Sequence, residues 1–207
     1  MEDEVKHPLF ARFYMRIATS AEDRYRRETL QGLSGQVVEV GAGHGPNFAF
    51  YPETVERVLA VEPEPTMRAK AQEAARKAPV PIDVTDGVAA KLPVDSNSFD
   101  AAVACLFLCS VPDQRAALAE FHRVLKPGGE LRYYEHVASH RSRMNAVQRF
   151  ADATVWPHLA GGCHLARDTR AAITAAGFEI TTDRLVNFPP GPAALLLPHV
   201  LGTARRV

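Results

Sequence analysis

One stretch constrains what this chain can fold into: Gln36–Asn47, reading Q-V-V-E-V-G-A-G-H-G-P-N. Val37, Val38 and Val40 make a short β-branched run, the pattern of a buried parallel strand. Gly41, Gly43 and Gly45 follow, with Ala42 between the first two. Glycine permits positive φ and close approach of a ligand to the backbone. Pro46 suits the first position of a helix, where its missing N–H costs nothing. The expectation is a strand, a glycine turn and a helix N-terminus whose free N–H groups favour an anionic ligand group. Such a unit belongs to an α/β protein with a nucleotide-type site at the carboxyl end of its first strand.

The spacing narrows the nucleotide. A dinucleotide fingerprint reads G-x-G-x-x-G, whereas here the third glycine comes one residue early, giving E-x-G-x-G-x-G from Glu39 to Gly45. About 20 residues beyond the first glycine a ribose ligand requires an acid. Glu62, followed by Pro63, closes the apolar strand Val58–Val61 and meets that need. Together these signals resemble the class I S-adenosylmethionine (SAM) dependent methyltransferases. A nicotinamide oxidoreductase is disfavoured by the early glycine.

At 207 residues the chain suits one domain with a small cap and has ample material for a core. Lys+Arg and Asp+Glu balance at 24 each, so nothing argues for nucleic acid or an anionic membrane surface. Three cysteines give no disulfide framework, which suits a reducing compartment. The start, Met1-Glu2-Asp3-Glu4, is acidic and lacks a signal-peptide core. No apolar run is long enough to span a bilayer. A cytoplasmic protein is expected.

Residues 1–33 are expected to form a helical cap and residues 34–207 the main domain. Phe10, Phe13, Tyr14 and Ile17 share one helical face, and a second helix runs through Tyr25 to Leu30 before Gly32. From Ser34 onward strand and helix signals alternate, as in a doubly wound, Rossmann-like sheet of about seven strands with the last antiparallel. Helices are expected over Glu64–Ala78, Gln114–Leu125, Asn145–Leu159 and Asp168–Ala176. Strands are expected over Ile82–Thr85, Phe99–Ala104, Glu130–Tyr134, Phe178–Leu185 and His199–Ala204. Lys126-Pro127-Gly128-Gly129 reads as a helix stop with a tight turn.

Further segments sharpen the resemblance. C-L-F-L-C-S-V at Cys105–Val111, Y-E-H-V at Tyr134–Val137 and G-G-C-H-L-A-R at Gly161–Arg167 join N-F-A-F-Y-P and P-H-V-L-G. They resemble the mammalian alkyl-thiol methyltransferases of the methyltransferase-like family and their soluble bacterial relatives. The resemblance implies SAM as cofactor, held by Glu39, Gly41, Ala42, Gly43, Gly45, Asn47, Glu62 and Pro63. It extends to the segment Asp86, Gly87, Val88, to Cys105 and Leu106 beside the methionine part, and to Tyr14 from the cap. Two departures stand out. The apolar N-terminal anchor of the mammalian proteins is absent here, so lipid-surface localisation does not transfer. Val88 also stands where many SAM sites carry a carboxylate for the adenine amino group, leaving Asp86 to reach it from a shifted position.

A methyl carried on a sulfonium is already activated, so positioning supplies about 7–11 kcal/mol of the barrier reduction. A thiol acceptor with pKa ~8.5 is partly ionised at neutral pH, and a general base adds ~10²–10⁴-fold. His136, just after the fifth strand, is the expected base, with His164 the runner-up. Glu135 is a poor partner for His136, because adjacent strand residues point to opposite faces. Cys105, Cys109, Cys163 and His164 suggest zinc by spacing. Cysteines on an apolar strand are more often small hydrophobes, and no metal is expected. Trp156, Cys163 and Phe188 are candidates to wall an apolar acceptor pocket. The expected function is methyl transfer from SAM to the thiol of a small, mainly apolar molecule. The alternatives are O-, N- or C-methylation of a small metabolite, or SAM binding without turnover.

Overall fold

The computed structural model describes residues 22–188 and 197–207. The first expected cap helix and Tyr14 lie outside the described residues, as does most of the Pro-Leu-rich run after Phe188. Strands β1 (Gly35–Val40), β2 (Val55–Val61), β3 (Ile82–Thr85), β4 (Phe99–Cys105), β5 (Leu125–His136), β6 (Phe178–Asn187) and β7 (Pro198–Arg206) form one sheet. Its order is β3-β2-β1-β4-β5-β7-β6. Neighbours from β3 through β5 pair in parallel, and β7 pairs antiparallel with both β5 and β6. Strand order reverses between β1 and β4, the switch point at which open α/β sheets collect ligands.

The helices are α1 (Asp23–Leu30), α2 (Pro65–Ala75), α3 (Gln114–Val124), α4 (Ser142–Asp152), α5 (Trp156–Leu159) and α6 (Thr169–Ala175). Three of them start on carboxylate caps: Glu64 accepts from the Met67 N–H, Asp113 from Ala116 and Asp168 from Ala171. Each satisfies an orphan donor of the first turn. Alternation along the strands splits the core in two. Val37, Val58, Val103 and Tyr134 face Tyr25 and Leu30 of the α1 segment and Ala71 of α2. Val38, Ala102, Leu131 and Tyr133 face Leu118 and Phe121 of α3 and Ile173 of α6.

Three expectations need correction. No α-helix starts at Pro46. Asn47 instead opens a single 3-10 turn over Phe48–Phe50, because the Asn47 side chain is bound into the protein through Glu39 and Arg26. The helix expected over Asn145–Leu159 is broken into α4 and α5. Pro157 falls in the first turn of α5, where its missing N–H costs nothing, whereas inside one continuous helix it would leave the Ala153 carbonyl without its bond. The turn Lys126–Gly129 lies within β5 as an interruption of its ladder: Phe99 pairs with Leu125, and Ala101 pairs next with Glu130. Gly128, with φ of 79°, makes that excursion possible.

Candidate active site

The carboxyl ends of β1, β2, β3, β4 and β5 place Val40, Val61, Thr85, Cys105 and His136 along one edge of the sheet. The glycine loop rises from β1 at that edge, with Gly41, Gly43 and Gly45 all at positive φ. Their surroundings differ. A Cβ on Gly41 would stand 2.2 Å from the Phe107 ring, and one on Gly45 would stand 2.7 Å from Phe48. At Gly43 the nearest atom is the Met67 sulfur at 3.7 Å, so this glycine fronts open space where a ligand can meet the backbone.

Glu39 is buried and braces the loop from within. Its carboxylate accepts from Asn47 Nδ2 at 2.8 Å and from the Tyr51 hydroxyl at 2.6 Å. Asn47 Oδ1 in turn accepts from Arg26 of α1 at 3.1 Å, and Arg26 pairs with Glu22. Burial is the main force on Glu39 and lifts its pKa to about 7 against the pull of Tyr51 and Asn47. Glu39 and Asn47 thus support the loop through protein contacts.

Glu62 is 7% exposed, with one oxygen accepting from the Gly43 N–H at 2.8 Å and the other from the Glu64 N–H at 2.9 Å. Burial raises its pKa above the usual value. A carboxylate has about four lone-pair sites, so each oxygen retains capacity for a ribose hydroxyl. Arg68 binds the main-chain oxygens of Glu62 and Pro63, each at 2.8 Å, and also the Asp86 carboxylate at 3.1 Å. The Asp86 side chain is 72% exposed. Gly87 packs against Val61 and Pro93, and Val88 bridges to Lys91. Arg68 was missed in the sequence because its partners are main-chain atoms with no spacing signature.

Beyond β4, Leu106 holds φ at 54°, a left-handed conformation rare outside glycine and frequent at functional sites. The buried Glu135 carboxylate anchors the following turn by accepting from the N–H groups of Phe107, Leu108 and Cys109 at 2.9–3.0 Å. Glu135 therefore faces away from His136, as strand alternation requires. Its role in holding the turn carries no local sequence signal. Burial pushes the Cys105 thiol up to about 12, so it stays neutral and packs as a small apolar group.

His136 meets two sulfurs. Its Nδ1 lies 3.6 Å from Cys109 Sγ and 3.6 Å from Cys163 Sγ. Burial opposes its charged form, but the Cys109 sulfur and Glu135 outweigh that and raise its pKa. A hydrogen bond to Cys163 and burial push Cys109 upward, while the same bond, aided by Trp156, lowers Cys163. His164 is elsewhere. Its backbone N–H binds the Cys109 carbonyl, and its ring lies 4.0 Å from Asp152. Cys105 is likewise absent from the cluster. The structure thus joins Cys109, His136 and Cys163, not the set that sequence spacing suggests.

A column of rings adjoins the cluster: Tyr25 stacks on Tyr134 at 5.5 Å, Tyr134 on His199 at 5.1 Å, and His199 lies 4.1 Å from His136. Phe188 sets its edge against both Tyr25 and His199. Burial and the neighbouring His136 push the His199 pKa down to about 2, so it remains a neutral ring. Trp156 packs with Cys109, Cys163 and Leu165. Apolar and aromatic walls with few polar groups are typical of small-molecule sites.

The chain is similar to known proteins. Residues 38–133 match the family described as "Methyltransferase domain". Thiol S-methyltransferase TMT1B of Mus musculus is 35% identical over 205 residues, 95% of this chain and 82% of that protein. Thiol S-methyltransferase TMT1A of Homo sapiens is 33% identical over 178 residues, 84% of this chain and 72% of that protein. Among solved structures, geranyl diphosphate C-methyltransferase from Streptomyces coelicolor, in complex with S-adenosyl-L-homocysteine, superposes with a TM-score of 0.70. It is 17% identical, covering 91% of this chain and 76% of that one, and so bears on the fold alone. The chain belongs to the SAM-dependent methyltransferases, in the family of the thiol S-methyltransferases.

Proposed function

We propose that this protein transfers the methyl group of SAM to the thiol of a small, mainly apolar molecule. The observation that carries the reading is the 33–35% identity to thiol S-methyltransferases over most of the chain. SAM, when bound, supplies a methyl on a sulfonium, ready for in-line displacement. On the protein side, Gly41–Gly45 offer the backbone, with Gly43 as the open point of approach, and Glu62 takes the ribose hydroxyls. Leu106 and the neutral Cys105 line the methionine end, and Asp86 with Val88 flanks the adenine end. Tyr14 is assigned to the cap over this site.

The acceptor binds between the ring column and Trp156, with Phe188 and Cys163 in its walls. His136 and its two sulfur neighbours sit at the edge of this space, and there the acceptor thiol loses its proton. His164 is a weaker choice, since its ring is turned toward Asp152. A cytoplasmic setting belongs to the same reading and is supported by three free, buried cysteines.

The test is a panel of alkyl thiols, phenols and amines with methyl-labelled SAM. Label is expected on thiols. Label on phenols or amines and never on a thiol overturns the acceptor while leaving the methyltransferase. With the best thiol, His136→Ala should lower kcat by ~10²-fold at neutral pH, and the deficit should shrink as pH approaches the acceptor's own pKa. A deficit equal at every pH would remove His136 from acceptor ionisation.

A further inference from the structure

We infer that Cys109, His136 and Cys163 form a binding site for a thiophilic divalent transition metal, zinc by ligand type, whose open fourth position takes the acceptor thiol. The proposal rests on the thiol reading for its acceptor and on geometry for its metal.

The two sulfurs and the imidazole nitrogen all lie within 4.8 Å of one another, and both sulfur–nitrogen separations are 3.6 Å. Tetrahedral zinc, with Zn–S of ~2.3 Å and Zn–N of ~2.0–2.1 Å, sets its sulfur and nitrogen ligands about 3.6 Å apart. The same distance suits a hydrogen-bonded trio, so the surrounding structure carries weight. Three separate chain segments bring the ligands together, and main-chain bonds fix them. Glu135 holds the turn bearing Cys109, the His164 N–H binds the Cys109 carbonyl at 2.8 Å, and the Cys163 N–H binds Ala160 O at 3.1 Å. His136 is the last residue of β5 and pairs across the sheet with His199. Ligands that need no rearrangement are what a metal site requires.

The outer contacts also fit thiolates. Ser110 Oγ lies 3.5 Å from Cys109 Sγ. The Trp156 indole N–H is buried without an oxygen or nitrogen acceptor among the described residues, and it bears on Cys163. Two thiolates neutralise a divalent ion, which allows it to sit in an apolar surround of Leu165, Ala151 and Ala160. Two soft sulfurs and one imidazole select zinc over magnesium or calcium. Among the described residues no other Cys, His, Asp or Glu joins the cluster. Three protein ligands with one open position is the arrangement of catalytic rather than structural zinc.

The chemistry balances simply. The acceptor's S–H bond breaks, its proton passes to water, and a sulfur–metal bond forms. When the sulfur takes the methyl, the sulfonium C–S bond of SAM breaks and its electron pair stays on S-adenosylhomocysteine. The product is a neutral thioether, a poorer ligand than a thiolate, and it leaves.

Cobalt(II) is the probe, because its thiolate charge-transfer and tetrahedral d–d bands report ligand type and number. Reduced, chelator-treated full chain should take up one equivalent of cobalt(II) with both bands and release it to zinc(II). Cys109→Ser and Cys163→Ser, each checked by circular dichroism, should lose the charge-transfer intensity, whereas His164→Gln should keep it. Adding an alkyl thiol without SAM should shift the d–d bands. A reduced, folded wild type that takes up no cobalt(II) or zinc(II) overturns the site, whatever the variants do. A Cys109–Cys163 disulfide in place of uptake, seen as a loss of two hydrogens in mass, overturns it too. Uptake with bands unmoved by thiol overturns the acceptor assignment. Thiol methylation by a metal-free chain would sink this inference and leave the thiol methyltransferase reading, while metal uptake without thiol methylation would overturn the thiol acceptor and leave only the metal site.

Discussion

At Gly43 the backbone and the surrounding space say different things about a side chain. Space is available, but φ is 58°, where an L-residue is strained by about 1–2 kcal/mol. A valine there strains the loop and puts its methyls on the side from which a cofactor comes. Gly43→Val should abolish SAM binding in calorimetry while leaving circular dichroism unchanged. Glu62→Ala should weaken SAM by about 10- to 100-fold, the range for hydrogen bonds to a charged group. Retained affinity in both would mean that SAM does not use this loop. Glu39 calls for a different experiment. An acid with a higher pKa folded than unfolded binds more protons in the folded state between the two values. The contribution of Glu39 to stability therefore falls as pH rises from 4.5 to about 7 and is level above. The full effect is about 3 kcal/mol. Glu39→Gln should remove the Glu39 contribution, so that the urea midpoint falls less, or rises more, from pH 4.5 to about 7 than in wild type. Glu62 and Glu135, also raised, add slope of the same sign, and His199, held down to about 2, adds slope of the opposite sign below 6.5. An unchanged slope would show that Glu39 does not titrate there. Glu39 and Glu62 were legible in the sequence because a glycine loop and a strand end fix their places. The trio of Cys109, His136 and Cys163 was not legible, since sequence spacing carries no sign of which turns the sheet edge brings together.

Among the elements, β5 carries the most consequence for the site. It ends on two adjacent residues with opposite duties: Glu135 holds the turn after β4, and His136 faces the sulfurs. Glu135→Ala leaves three N–H donors, two of them buried, without their carboxylate. It should cost at least about 3 kcal/mol at the urea midpoint and loosen Cys109. A cost under ~1 kcal/mol would show that water replaces the carboxylate without penalty. The strands were readable because β-branched and small apolar runs bounded by Gly, Pro and acids leave little choice. Helix ends were harder. The Asp152 side chain accepts from the Leu165 and Ala166 N–H groups, a tertiary demand that ends α4 where helical spacing alone would continue. The 3-10 turn after Gly45 has a similar cause, since Asn47 is shared between Glu39 and Arg26.

For the whole molecule, the linked prediction is ligand-dependent melting. A ligand that binds only the folded state at 100 times its Kd adds about 2.7 kcal/mol, or about 5–10 °C for a chain of this size. SAM and S-adenosylhomocysteine should each raise the Tm by that amount and NAD should not; a rise with NAD alone would overturn the cofactor. No helix among the described residues is long and apolar enough to cross a membrane. The sheet order carries a consequence for how the molecule is made. Strand β7 follows every other strand in the chain yet lies between β5 and β6. While the ribosome is still short of Pro198, β5 is paired with β4 on one side only, and its other side is bare along Glu130–His136; such a bare edge invites pairing with another chain. Stalled nascent chains ending before Pro198 should therefore need a chaperone, and those that have released β7 should not. His136 meets His199 only at that moment, so this edge of the sheet is finished by a strand made after both of its neighbours.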